Sequence, residues 1–254
     1  MNIGPTRPYA DAAWTYRNAG WLGVLPVGRR PLQKTPPAKG YTGWAGIDPS
    51  GADVQAWVDG PEGERNLGLH IPHRVYVLDV DVYGDKDGAK GITEAEERLG
   101  IALPRTWSST ARGAGSLSRQ YFFRAELPAG RLWRDHPMPG TESLHVGHRY
   151  ALVWPSLNPD ADGARYEWYS PDGYKCAISV PRIDELTLLP AAWIEEFSVT
   201  GVALEGSAAG AQETHDVLGK FRAVGPGGSA CQRVTALLGR ELDRLAGKGE
   251  HEGR

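Results

Sequence analysis

Apolar residues recur along the first 200 positions at spacings typical of short helices and strands. We expect these elements in the order helix 9–20, strand 21–27, helix 48–60, strand 65–71 and strand 74–82. Gly20 is a favourable helix end, and Ser50 or Asp53 can cap the second helix. Residues 28–40 are too rich in Pro and Gly for regular structure. The N-terminal part is therefore expected to alternate helix and strand.

The middle of the chain contains more predicted strands than helices. A helix at 92–100 has Thr93 and Glu96 spaced as a capping box and Gly100 as its end. The strands expected after it lie at about 105–110, 119–125, 142–146, 149–154 and 165–169. A short helix ending near Phe197 closes this region. This strand-rich middle differs from the N-terminal part, where helix and strand alternate.

The composition changes after residue 200 to small and polar residues. We expect a domain at 1–200, a linker at 201–213 and a helical appendage at 214–254. The appendage has an apolar stripe at helical spacing, formed by Val234, Leu237, Leu238, Leu242 and Leu245. No natural terminal element follows it, so we expect a further region downstream.

Composition narrows the class of protein. The net charge of −3 argues against binding nucleic acid by bulk attraction but allows a local basic groove. Cys176 and Cys231 are 55 positions apart, which indicates neither a zinc site nor a disulfide framework. With no signal peptide or long apolar run, we expect a soluble cytoplasmic protein with no membrane partner.

Two carboxylates lie inside the apolar run "RVYVLDVDVYG", residues 74–84. On a strand, Asp79 and Asp81 share a face with Val75 and Val77, because alternate side chains point the same way. Mg²⁺ and Mn²⁺ are hard cations that prefer such oxygen ligands. The alternative is a strand end that runs into solvent, and the pattern alone leaves both readings open.

A third acidic residue, Glu142, stands in "GTESLHVGHRYALVWPS". This segment predicts two short strands joined at residues 146–148, with Gly147 free to take a positive φ, and Glu142 would begin an inner strand. A surface glutamate is the alternative. His145 and His148 are three positions apart and would face opposite sides of an extended chain, so joint metal ligation is not expected.

The stretch "STARGAGSLSRQYFF", residues 109–123, places glycines, hydroxyls and guanidinium groups before an apolar strand. Arg112, Ser116, Ser118 and Arg119 can donate to phosphate, and the glycines allow close approach of backbone N–H groups. The segment lacks the ending of a Walker loop. A solvated hairpin loop is the alternative.

These segments together resemble the prim-pol domain of the archaeo-eukaryotic primase superfamily, in the form fused to helicases of actinobacterial phages and plasmids. The resemblance covers about residues 9–197, and its most specific parts are "VYVLDVD" and "RYALVWPS". It implies an α+β fold, with which the strand-rich middle agrees. The fold would consist of an N-terminal αβ unit and an RNA-recognition-like catalytic unit with a cleft between them. It also implies that Asp79, Asp81 and Glu142 bind two Mg²⁺ or Mn²⁺ ions.

The second family motif, often GGxH, contacts the triphosphate, and the matching "GAGSLSRQYFF" has no histidine. Ser116, Ser118 and Arg119 are the candidate substitutes, with Arg112 nearby and His148 as a competitor that the turn at Gly147 would aim at the cleft. Likewise, Asn158 stands where relatives often carry histidine.

The resemblance implies primer synthesis or extension on single-stranded DNA from nucleoside triphosphates, in replication and alongside a helicase in the same or a longer polypeptide. Two alternatives stay open. Paired acids and two ions also serve a metal-dependent nuclease. The missing histidine would suit a non-catalytic template-binding module of a helicase.

Overall fold

The computed structural model describes residues 7–28, 38–148, 150–176 and 179–201. The predicted helical appendage and all of the predicted linker except Gly201 lie outside the described residues. The apolar stripe from Val234 to Leu245 and the downstream region are likewise outside them.

The described residues form four α-helices and fifteen short strands, together with 3₁₀ turns at Pro61–Glu64, Pro159–Ala161 and Ile183–Glu185. The helices are α1 (Pro8–Asn18), α2 (Gly51–Asp59), α3 (Gly88–Leu99) and α4 (Ala191–Phe197). The strands are β1 (Val24–Val27), β2 (Asn66–Leu69), β3 (Val75–Val80), β4 (Val82–Tyr83), β5 (Lys86–Asp87), β6 (Trp107–Thr110), β7 (Arg119–Arg124), β8 (Arg131–Trp133), β9 (Thr141–Leu144), β10 (Ala151–Leu152), β11 (Leu157–Asn158), β12 (Ala164–Arg165), β13 (Glu167–Tyr169), β14 (Lys175–Cys176) and β15 (Ser198–Thr200).

The largest sheet has six strands in the order β14-β13-β6-β7-β3-β9, and every neighbouring pair in it is antiparallel. One face packs against α3 and α4. On that face Tyr76 and Leu78 of β3 are fully buried, and they share an apolar cluster with Trp193 and Phe197 of α4. The even-numbered positions of β3 therefore form one half of the core, as their alternation predicts.

The other face of β3 packs against the N-terminal elements. Val75 and Val77 belong to a second apolar cluster that contains Tyr9 and Tyr16 of α1 and Trp168 of β13. A three-stranded antiparallel sheet in the order β1-β2-β10 lies in this part of the fold. The mixture of helices and antiparallel sheets confirms the α+β class.

The predicted capping box at the start of α3 is wrong. The helix begins at Gly88, and the N-cap is Asp87, whose Oδ1 accepts the Lys90 N–H at 3.2 Å. Thr93 lies inside the helix and donates to the Ala89 carbonyl. The helix therefore starts one turn earlier than expected, and glycine fits at 88 because a Cβ atom there would collide with the Gly140 carbonyl. The predicted end at Gly100 is confirmed by its left-handed conformation.

The predicted hairpin around residues 146–148 is also wrong. β9 pairs with β3 at the edge of the six-stranded sheet, whereas β10 pairs with β2 in the three-stranded sheet. Glu142 therefore lies on an edge strand and not on an inner one. Gly147 does not take a positive φ; glycine fits there because a Cβ atom would collide with the Trp44 indole.

Among the described residues, no helix combines the length and the apolar character that crossing a bilayer would require.

Candidate active site

Asp79 lies where β3 leaves the apolar core. It follows Val75 and Val77 on the same face, and it is half-buried where they are buried. In the sheet register it stands directly opposite Glu142 of β9 on one side and Gln120 of β7 on the other. Directly opposed residues point to the same face with Cβ atoms about 4.5–5.5 Å apart, so the two carboxylates are neighbours.

Asp81 follows β3 and is held by its backbone. Its N–H donates to the Gly140 carbonyl and its carbonyl accepts the Gly88 N–H, both at 2.9 Å. Its side-chain Oδ2 lies 2.5 Å from Nζ of Lys86 at the start of β5. The hydrogen bond to Asp81 is the main reason that the pKa of Lys86 is raised.

Glu142 has a raised pKa, chiefly because burial disfavours its charged form. The negative charge of Asp81 also raises the Glu142 pKa, while His136 and Lys86 lower it. Nε2 of His148 lies 3.9 Å from Oε1 of Glu142. Burial is therefore the main reason that the charged form of Glu142 is disfavoured, and the charge of Asp81 adds to it.

These carboxylates line one pocket of about 260 Å³. Of the residues singled out in the sequence, the pocket wall includes Asp79, Asp81, Glu142, Arg112, Ser118, Arg119 and Asn158. Ser116 and His148 are not part of this wall. The structure thus brings the three acidic residues together with Arg112 and Arg119, the two positively charged residues that were predicted to donate hydrogen bonds to phosphate.

The guanidinium group of Arg119 is occupied by its own loop. It donates to the carbonyls of Ala114 at 2.8 Å and Ser116 at 2.9 Å, and to the Ser108 hydroxyl at 3.3 Å. It also lies 5.4 Å from the centre of the Tyr169 ring. Arg119 therefore holds the 114–118 loop in shape, and its main donors face loop carbonyls.

The two predicted serines also shape this loop. Ser118 Oγ accepts the Val82 N–H at 2.7 Å, which ties the loop to β4. Ser116 Oγ accepts the Ser118 N–H at 3.1 Å.

Arg112 is arranged differently from Arg119. Its side chain is exposed, its guanidinium lies 4.4 Å from the centre of the Tyr83 ring, and it donates to the Asp160 carbonyl at 3.3 Å. One side-chain hydrogen bond and one ring contact leave several of its five N–H groups for a ligand.

Sequence reasoning missed several residues of the pocket wall. They are Tyr83, Lys86, Ser109, Gln120 and Tyr166. Gln120 was detectable, because in "RQYFF" it alternates with the buried Phe122 on the face that carries Asp79. Lys86 lies in a short exposed hairpin with no apolar period, so no sequence signal pointed to it.

The donor chemistry of the site fits a hard divalent cation, because three carboxylates from β3, its extension and β9 line the same pocket. In the arrangement shown, Asp81 is paired with Lys86. Within the described ranges, no group of three His, Cys, Asp or Glu side chains is arranged to hold a metal ion. A cation that binds Oδ2 of Asp81 would compete with the Lys86 ammonium.

Comparison with known families gives one match. The family model described as bifunctional DNA primase/polymerase, N-terminal, matches residues 12–192, a span that includes every residue of the pocket wall. No curated protein matches the chain.

Proposed function

The chain belongs to the Prim-Pol family of bifunctional DNA primase/polymerase N-terminal domains, and on this premise we propose that it joins nucleotides to a growing strand under the direction of a DNA template. One observation carries the proposal: Asp79, Asp81 and Glu142 share a pocket with the exposed guanidinium of Arg112. Nucleotidyl transfer needs carboxylates that can hold metal ions and, beside them, a positively charged side chain that donates hydrogen bonds to phosphate.

In this proposal, Asp79, Asp81 and Glu142 hold two Mg²⁺ or Mn²⁺ ions. Such ions, when bound, lower the pKa of an attacking 3′-hydroxyl and neutralise charge on the phosphoryl oxygens. Arg112 binds the triphosphate through the N–H groups that its contact with Asp160 leaves open. Lys86 supplies a second positive charge once its ammonium leaves Asp81.

We extend the proposal to the partners. Single-stranded DNA is the template, and it lies in a cleft between the N-terminal αβ unit and the RNA-recognition-like unit built on the six-stranded sheet. Residues 201–213 and 214–254 serve as linker and helical appendage, and a helicase acts in the same or a longer polypeptide. The setting is replication in a bacterial cytoplasm, in the phage or plasmid context that the sequence resemblance implies.

Incorporation of labelled nucleotides on primed and unprimed single-stranded DNA, with Mg²⁺ or Mn²⁺, tests the proposal. Wild-type protein should extend the primer, and Asp79→Asn should lose at least about 100-fold in rate because a ligand charge is gone. Asp172→Asn, in the exposed turn after β13, is the matched control. Shortening of the DNA would instead identify a nuclease, and DNA binding without incorporation a template-binding module.

A further inference from the structure

Four polar side chains form a row across the six-stranded sheet. Ser109 of β6 stands opposite Gln120 of β7, Gln120 opposite Asp79 of β3, and Asp79 opposite Glu142 of β9. All four therefore point to one face of the sheet, and all four line the pocket. We call these residues the polar row.

Two members of the polar row have buried polar atoms without a hydrogen-bond partner among the described residues. They are Oε1 of Gln120 and Oγ of Ser109. Gln120 is 7% exposed and Ser109 is 0% exposed. An unsatisfied buried polar atom costs about 1–3 kcal/mol, and most such atoms in folded proteins are paired. Two at adjacent positions of one pocket indicate a binding role.

In this state the Gln120 amide is oriented by Asp79. Its Nε2 donates to Oδ2 of Asp79 at 3.3 Å, and a carboxylate oxygen requires a donor. The amide oxygen therefore faces away from Asp79 and can only accept. A hydrogen-bond donor or a metal ion can satisfy it, while the Ser109 hydroxyl can either donate or accept.

A nucleoside triphosphate offers few groups that meet this requirement. Ionised phosphate oxygens only accept, and the donors of the base are used in pairing with the template. The sugar hydroxyls remain, and a hydroxyl donates and accepts at once. We propose that Ser109 and Gln120 bind a sugar hydroxyl of the incoming nucleotide. This inference rests on the proposed function and adds to it a subsite for the sugar.

A ligand reaches the two atoms by side-chain rotation, since both are covered in this state. For Ser109 that rotation involves a single torsion between staggered positions. Neighbouring strands are about 4.8 Å apart, so one hydroxyl between β6 and β7 lies within reach of both side chains. The Asp79 carboxylate at the next position then places the sugar beside the acidic residues.

The test measures equilibrium binding of ATP, 2′-deoxy-ATP and 3′-deoxy-ATP to the full chain in Mg²⁺. Each deoxy analogue lacks one hydroxyl. Wild-type protein should bind one of them at least about 10-fold more weakly than ATP, because a buried polar site rejects a ligand that leaves it unpaired. The analogue that binds more weakly identifies the hydroxyl that the protein contacts. In the Ser109→Ala and Gln120→Leu variants, the affinities for ATP and for that deoxy analogue should differ by no more than about twofold.

Ser109→Ala is the deciding variant. It removes a hydroxyl that has no hydrogen-bond partner among the described residues, and it leaves the carboxylates of the pocket unchanged. The matched control is Ser108→Ala, because Ser108 is equally buried on β6 but its hydroxyl accepts from Arg119. The control should keep the wild-type preference. Equal wild-type affinity for all three nucleotides, or a Ser109→Ala variant that keeps the preference, overturns the sugar subsite alone. Failure to bind any of them overturns the proposed function as well.

Discussion

Lys86 forms an ion pair with Asp81 in which Nζ lies 2.5 Å from Oδ2. The lysine is 52% exposed and the aspartate 29% exposed, so the pair lies at the rim of the pocket. An ammonium group at this point offsets the repulsion among three neighbouring carboxylates. It also occupies the Oδ2 side of Asp81, where it would compete with a divalent cation.

Replacing Lys86 with Met should strengthen divalent cation binding, because the cation no longer competes with the ammonium. Exposed ion pairs contribute about 0–1 kcal/mol, so the gain in Mn²⁺ affinity should be up to about fivefold. Titration of Mn²⁺ followed by electron paramagnetic resonance measures it. Lys90→Met is the control, because Lys90 pairs with Glu94 on α3, outside the pocket. Weaker Mn²⁺ binding in Lys86→Met would show that the lysine helps to bind the metal.

Arg112 and not Arg119 should carry the charge that binds the triphosphate. Arg112→Ala should weaken nucleotide binding by about 1.5–3 kcal/mol, the range for a hydrogen bond to a charged group. Arg119→Ala should mainly lower thermal stability, since its guanidinium holds the carbonyls of Ala114 and Ser116. Nucleotide titrations and melting curves for both variants decide this. An Arg119→Ala variant of wild-type stability with lost nucleotide affinity would restore the role that the sequence suggested.

The start of α3 gives a prediction about stability alone. Asp87→Ala should lower the free energy of unfolding by about 1 kcal/mol, because it removes the N-cap acceptor for the Lys90 N–H. Thr93→Ala, at the position where the sequence suggested a cap, should change it by less than about 0.5 kcal/mol. Urea unfolding of both variants measures the difference. The reverse order would mean that the helix begins at Thr93.

His70 should make stability depend on pH. It is 5% exposed; burial lowers its pKa, but the Asp48 carboxylate and the carbonyls of Val146 and Gly43 outweigh burial and raise it overall. The charged form therefore stabilises the fold fully below the ordinary pKa of about 6.5, and this contribution is lost as pH rises through the higher folded value.

His70→Gln should accordingly lose more stability relative to wild type at pH 6 than at pH 9. Melting curves at both values measure it, with His73→Gln in the exposed turn before β3 as the control for loss of an imidazole. If His70→Gln lowers the melting temperature by the same amount at both pH values, the charged form of His70 does not stabilise the fold.

Local alternation predicted much of this structure. Period-two spacing predicted the two faces of β3. It also predicted that Asp79 lies on the same face as Val75, at the end of the strand where the apolar core ends. That Glu142 would lie near Asp79 was implied by the family resemblance and not by local alternation, and the register places the two side by side.

The failures involve contacts between distant parts of the chain. β9 and β10 are close in sequence, but β10 pairs with β2, more than 80 residues earlier. The spacing of apolar residues within a short segment cannot predict a pairing between segments so far apart. The glycines and charges before β7 drew attention to the loop, while Gln120 is set by its register with Asp79. The Lys86 contact depends on a two-residue strand with both residues exposed.

The polar row also limits how the protein can evolve. A one-residue insertion or deletion between Val77 and Asp79 would put them on opposite faces of the sheet, so that either Asp79 turns toward α3 and α4 or Val75 and Val77 leave the apolar cluster. Point substitutions can change the chemistry of the row one residue at a time, whereas a change of length would sacrifice either the core or the site. Natural variation in this sheet should therefore be confined to replacements, with insertions and deletions restricted to its connecting loops.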